Sequence, residues 1–80
     1  MNPYVKSVEP LENYQLKLHF ENGDLKLFDV SPYLDKGVFK ELKDNSYFKS
    51  VRVVSGAVQW PHEQDFSNDT LYIRSTPLSA

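Results

Sequence analysis

Cysteine is absent from this chain of 80 residues, which excludes disulfide staples, thiolate metal sites and thiol nucleophiles. Glycine is scarce. Gly23, Gly37 and Gly56 are the only three, too far apart to form a loop that cradles phosphates. No serine lies in a G-x-S-x-G elbow. No apolar run approaches the ~20 residues needed to span a bilayer, and residues 1–10 lack the apolar stretch of a signal peptide. Excess charge is small: a formal net charge of −2 gives no general drive toward nucleic acid or acidic membranes. The expectation is a soluble cytoplasmic protein with no membrane contact, no cofactor and no metal, and without nucleic acid as a direct partner.

What the chain has is β patterning. Leu16, Leu18 and Phe20 alternate with Gln15, Lys17 and His19, and Leu25 and Leu27 alternate with Lys26 and Phe28. Asn22-Gly23 lies between them, and a two-residue Asn-Gly loop favours a type I′ turn with φ > 0 at both positions. That loop pairs Phe20 with Leu25 and Leu18 with Leu27 on one apolar face of a hairpin over residues 14–30. It leaves Phe28 and Val30 pointing away beside Lys17 and Gln15. There they are either covered by Tyr33 or Tyr47, or form an exposed apolar spot for association, such as a symmetric homodimer.

A second hairpin is expected over residues 51–60. With Ser55-Gly56 as its loop, Val53 faces Val58 and Val51 faces Trp60, while Arg52 and Gln59 pair on the other side. Val5 and Val8 anchor an earlier strand whose spacing is not period two, which calls for a bulge. Between the hairpins, Ser31 reads as a helix N-cap and Pro32 as the first helical residue. Val38 to Asp44 is the best helix: Val38, Phe39 and Leu42 share one side, and Lys36, Lys40 and Lys43 share another. The helical segment thus covers residues 32–44, and Asn45-Ser46 ends it. Pro61 stops the last strand of the hairpin, residues 62–70 read as a polar loop, and Leu71-Tyr72-Ile73 as a short final strand. Residues 76–80 read as a flexible tail. The eleven aromatics suit a compact core. Together these describe one α+β domain over residues 1–75, a small two-layer arrangement of hairpins with helical cover.

The ordered residues Pro3-Tyr4-Val5, Val8, Pro10, Tyr14-Gln15-Leu16, Phe20-Glu21-Asn22-Gly23, Phe28-Asp29-Val30 and Gly37-Val38-Phe39 with Leu42 carry a likeness to a known family. Phe48, Val51, Trp60-Pro61, Asp65 and Leu71-Tyr72 continue it to about residue 74. In this order and spacing the chain resembles the family called domain of unknown function 2442. The resemblance implies a small prokaryotic or phage α+β protein whose biochemical activity is not established. Some members of that family carry the domain before a helix-turn-helix. Others are encoded beside a second small protein, which invites a toxin–antitoxin or regulatory reading. Eight residues follow Tyr72 here, so the unfused form is the one expected. The family offers no catalytic residues to carry over.

Two constellations could carry chemistry. Trp60-Pro61-His62-Glu63-Gln64-Asp65 gathers an aromatic, an imidazole and two carboxylates, and His62 with Asp65 could form an acid–base pair or contribute metal ligands. Neither H-x-H nor H-E-x-x-H is present, and the other histidine, His19, lies in the first hairpin. The structural alternative puts Trp60 in the core and uses Asp65 to hold the loop. The second constellation is Lys36, Lys40 and Lys43, with Lys49 and Arg52 following. It is either a patch for an acidic protein surface or phosphate backbone, or an ordinary solvated helix face. The function expected is that of a non-enzymatic protein-binding or regulatory module, an antitoxin-like partner of a small neighbouring protein being its concrete form. A small metal- or ligand-dependent enzyme centred on His62 and Asp65 is the alternative. Weak nucleic-acid binding through Lys36, Lys40 and Lys43 is the third reading.

Overall fold

A computed structural model describes residues 2–78. The chain opens with a meander of β1 (Val5–Leu11), β2 (Gln15–Phe20) and β3 (Leu25–Asp29). The bulge expected in β1 lies between Val5 and Ser7. One extra residue there re-phases the strand, so that Val5 opposite Phe20 and Val8 opposite Leu18 face the same side. This is why two valines three apart can both anchor the core.

The first hairpin forms, in a register one residue away from the expected one. Leu16 lies opposite Phe28 and Leu18 opposite Lys26, while Lys17 meets Leu27 and His19 meets Leu25. The loop holds three residues, Glu21, Asn22 and Gly23, closed by bonds from Phe20 N–H to Asp24 O and from Gly23 N–H to Phe20 O. Within it, positive φ is confined to Gly23 at +94°, the place where three-residue hairpin loops use glycine. Asn22 keeps an ordinary backbone because its Oδ1 accepts from Asp24 N–H at 3.0 Å, an Asx turn that competes with type I′ geometry. A one-residue shift turns every β3 side chain over. Phe28 is therefore 1% exposed and Val30 fully buried, while Leu25 is 43% exposed. Tyr33 covers Phe28 by stacking at 5.8 Å, and Phe66 meets it edge-on at 4.9 Å. Neither Phe28 nor Val30 is an exposed spot for association; the covered alternative holds. Lys26, now on the inner face, runs its stem outward so that Nζ sits 3.9 Å over the Tyr72 ring and donates to Tyr72 O.

The connecting segment is helical in a looser way than expected. Ser31 is not the N-cap: Val30 holds that position without a side-chain cap, Ser31–Tyr33 is one 3₁₀ turn with Pro32 inside, and Asp29 Oδ1 accepts from Ser31 N–H at 2.9 Å just ahead of it. Gly37–Lys43 is 3₁₀ rather than α. It is short, opens on Gly37 at φ +46° and has no side-chain cap at its start, too little to nucleate an α-helix. Asn45-Ser46 begins a helix instead of ending one. Asp44 Oδ1 accepts from Ser46 N–H at 3.0 Å and Tyr47 N–H at 3.4 Å, capping α1 (Asn45–Phe48).

The second hairpin keeps the expected register. β4 (Arg52–Val54) and β5 (Ala57–Gln59) pair Arg52 with Gln59 and Val53 with Val58, and both Ser55 and Gly56 take positive φ, as a two-residue type I′ loop requires. β6 (Asp65–Phe66) adds to β5, inside the stretch expected to be loop. Leu71-Tyr72-Ile73 is helix, not strand: Ser67 Oγ accepts from Thr70 N–H at 3.2 Å and starts α2 (Asn68–Arg74). One apolar face suffices there, since Leu71 is buried and Ile73 stays in solvent. Of the expected tail, Thr76 and Pro77 form β7 against β3, and Leu78 N–H reaches Leu25 O; Ser79 and Ala80 lie outside the described residues.

The product is a small α+β domain of two antiparallel sheets, β1-β2-β3-β7 and β4-β5-β6, with short helices. β1 ties them together: Val5 N–H donates to Gly56 O at 2.9 Å while Glu21 N–H donates to Tyr4 O. Leu16, Leu18, Phe20, Phe28, Phe48, Trp60 and Leu71 meet in one core.

Candidate functional site

Gln64 organises the region that the sequence singles out. Trp60 N–H donates to Gln64 O and Glu63 N–H to Trp60 O, each at 2.9 Å, the same closure as in the Phe20–Asp24 loop. Glu63, at φ 73°, occupies the place that Gly23 fills there. Pro61 suits the first loop position because its φ is already set. The turn directs Gln64 inward, to 3% exposure. Its Nε2 donates to Val38 O at 3.0 Å and Glu41 Oε1 at 2.9 Å, and its Oε1 accepts from the Tyr47 hydroxyl at 2.7 Å. A buried amide so fully satisfied locks three segments together.

His62 completes the network at the surface. Its backbone N–H donates to the Tyr47 hydroxyl at 2.8 Å. Its ring lies on the Tyr47 ring at 5.2 Å, and Nδ1 is 2.6 Å from Glu41 Oε2. The imidazole is thus held by a carboxylate from the 3₁₀ run, and Nε2 is the atom a ligand would meet. Asp65, the expected partner, stands exposed in β6 opposite Gln59. Trp60 is fully buried, with Nε1 donating to Phe48 O at 2.9 Å; it is the floor beneath the loop.

All three lysines are exposed, on a 3₁₀ run rather than an α-helix, with Lys36 at its N-cap. Lys43 pairs with Asp35 at 2.7 Å, and this hydrogen bond, with the charge behind it, holds the Asp35 carboxyl below the usual carboxylate range. Lys36 reaches toward the Tyr33 ring, 5.9 Å from its centroid, and Lys40 stands in solvent. Between Lys36 and Lys40, Val38 is 67% exposed although its carbonyl is gripped by Gln64. The fold therefore joins the lysine segment to the Trp60–Asp65 segment, through Gln64 to the Val38 carbonyl and Glu41 and through His62 to Glu41. Sequence reasoning missed Glu41, Tyr47 and Gln64 as its organisers. The signal for Gln64 was faint: an uncharged polar residue among charged ones in a Pro-started turn.

Among the described residues no group of three or more His, Cys, Asp or Glu side chains could hold a metal ion, and no helix is long and apolar enough to cross a membrane. The model of a family described as protein of unknown function (DUF2442) matches residues 5–77. The chain belongs to this family. The match runs from β1 through β7, so both sheets and the Gln64-centred surface lie within the DUF2442 domain. No curated protein and no solved structure matches the chain.

Proposed function

We propose that this DUF2442 protein acts as a protein-binding module whose contact surface is built from residues 36–43 and the His62 turn. The observation that carries the reading is the Gln64 network, which anchors the Val38 carbonyl and Glu41 beside the His62 turn while the Val38 side chain, between Lys36 and Lys40 in the chain, stays 67% exposed. A preorganised apolar centre with a charged rim is how protein interfaces gain affinity with little ordering entropy. The partner it suits carries acidic groups around a small apolar contact, and a small neighbouring protein in an antitoxin-like pair is the concrete form of the proposal.

The test is a quantitative pull-down from native lysate with the wild-type protein, Val38→Glu and Lys40→Glu, read by mass spectrometry. One stoichiometric protein, lost from both variants, supports the reading. Equal recovery by all three removes this surface from consideration. A second reading, a small enzyme or ligand site at His62, draws support from the Glu41 contact, since a carboxylate on Nδ1 orients an imidazole for work at Nε2. Thermal stabilisation by zinc that disappears in His62→Ala favours it. The nucleic-acid reading is tested by salt-sensitive retention on DNA, abolished in Lys36→Glu with Lys40→Glu.

A further inference from the structure

Away from that surface, a groove of about 520 Å³ opens where β3 passes the end of α2. Its size lies within the roughly 300–1,000 Å³ range of small-ligand sites. Its apolar wall is Leu27 with Tyr33, whose ring stacks at 5.8 Å on the buried Phe28 behind it. Two opposite charges line it: Asp29 at the end of β3 and Arg74 in the last turn of α2. Asp29 and Arg74 are not paired with one another; the ion pairs among the described residues are Lys43 with Asp35 and His62 with Glu41. Asp29 is nonetheless fixed, because Oδ1 accepts from Ser31 N–H at 2.9 Å, which leaves Oδ2 for another donor. Gln15, from β2, adds an amide that can donate or accept.

An unpaired guanidinium, an anchored carboxylate and an aromatic wall in one groove are complementary to a ligand bearing both charges on an apolar body. We propose that this groove binds a small zwitterion of amino-acid or dipeptide size. The ligand carboxylate lies against Arg74, whose planar fork can take it in two parallel hydrogen bonds. Its ammonium donates to Asp29, and its side chain packs on Leu27 and Tyr33. The assignment is independent of the docking surface, since none of its residues belongs to residues 36–43 or the His62 turn.

The test is an amide-resolved NMR titration of the whole protein with four probes: phenylalanine, alanyl-phenylalanine, 3-phenylpropionate and phenethylamine. The last two are phenylalanine with one charge removed. The expected result is a saturable shift at Leu27, Asp29, Tyr33 and Arg74 for phenylalanine or the dipeptide, whichever fits the length, with each half-ligand weaker by about tenfold or more. Arg74→Gln should erase the advantage of the zwitterion over phenethylamine and leave phenethylamine binding unchanged. Asp29→Asn, which keeps an oxygen for Ser31, should erase the advantage over 3-phenylpropionate. No saturable shift at millimolar concentration, equal binding of zwitterion and half-ligands, or shifts centred on the His62 turn would overturn the assignment. So would variants that keep a native amide spectrum and bind as the wild type does.

Discussion

At the scale of single residues, two glycines show how much depends on their surroundings. Gly56 has φ +81°, and a Cβ there would lie 2.5 Å from Tyr4 Cδ1; Gly37 has φ +46° with nothing within 4 Å. A left-handed conformation costs an L-residue about 1–2 kcal/mol, and overpacking adds about 1–3 kcal/mol. Gly56→Ala is therefore expected to lose about 2–5 kcal/mol in urea unfolding, and Gly37→Ala only about 1–2 kcal/mol. Equal losses would mean that Tyr4 swings aside freely. Gln64 is the comparable residue at the candidate site. Gln64→Ala removes partners from the Tyr47 hydroxyl, Glu41 and Val38 O, for an expected loss of about 1–3 kcal/mol. It should also broaden the His62 and Val38 resonances, because the turn and the 3₁₀ run then move independently.

At the scale of elements, the register of the first hairpin decides which side chains the core receives. Phe28→Ala is expected to lose about 3–5 kcal/mol as a buried aromatic, whereas Leu25→Lys should change stability by no more than about 0.5 kcal/mol as an exposed strand residue. The register expected from an Asn-Gly type I′ loop predicts the reverse order, so chemical denaturation of this pair separates the two. The second hairpin makes the point from the other side. Ser55-Gly56 adopts positive φ at both positions and keeps its two-residue loop, since Gly56 O is held by Val5 N–H and the turn is clamped by β1. Helix identity was equally local in appearance and tertiary in fact. Asp44 and Ser67 are caps readable by residue type, yet the lysine-bearing run between Gly37 and Lys43 shows helical spacing and forms only 3₁₀ turns.

At the scale of the whole molecule, α2 is latched to the first hairpin by the Tyr72 hydroxyl, which donates to Asp24 Oδ2. That bond, with help from Asn22, lowers the Asp24 pKa. The same bond raises the Tyr72 pKa. The signs follow from linkage. A depressed carboxyl pKa contributes stability that is present above the unfolded value near ~4 and is lost as pH falls through the folded value. A raised phenol pKa contributes stability that is present below its unfolded value near ~10 and is lost as pH rises through the folded value. Tyr72→Phe should therefore flatten both flanks of the stability–pH curve relative to wild type while leaving its middle shape unchanged. If thermal melts of the two proteins stay parallel below about pH 4 and above about pH 10, the latch is not formed in solution.

Sequence alone determined the elements whose causes are local. Alternation set the strands Gln15–Phe20 and Leu25–Asp29, Ser55-Gly56 set the second turn, the spacing of Val5 and Val8 demanded the bulge, and the ordered motifs pointed to the family. For the candidate site, it named two segments, the lysine run and the Trp60–Asp65 stretch, and paired His62 with Asp65, whereas the fold sets His62 against Glu41. Only the tertiary structure decided the rest. The first hairpin's register follows from Phe28 finding Tyr33 and Phe66, and α2 from burying Leu71 and setting Tyr72 against Phe20. The joining of Val38, Glu41 and His62 follows from Gln64, which satisfies its amide across segments 23 and 26 positions apart in the chain. Such bonds leave no period in the sequence, because their reward is the desolvated satisfaction of a polar group by residues that only the fold makes neighbours.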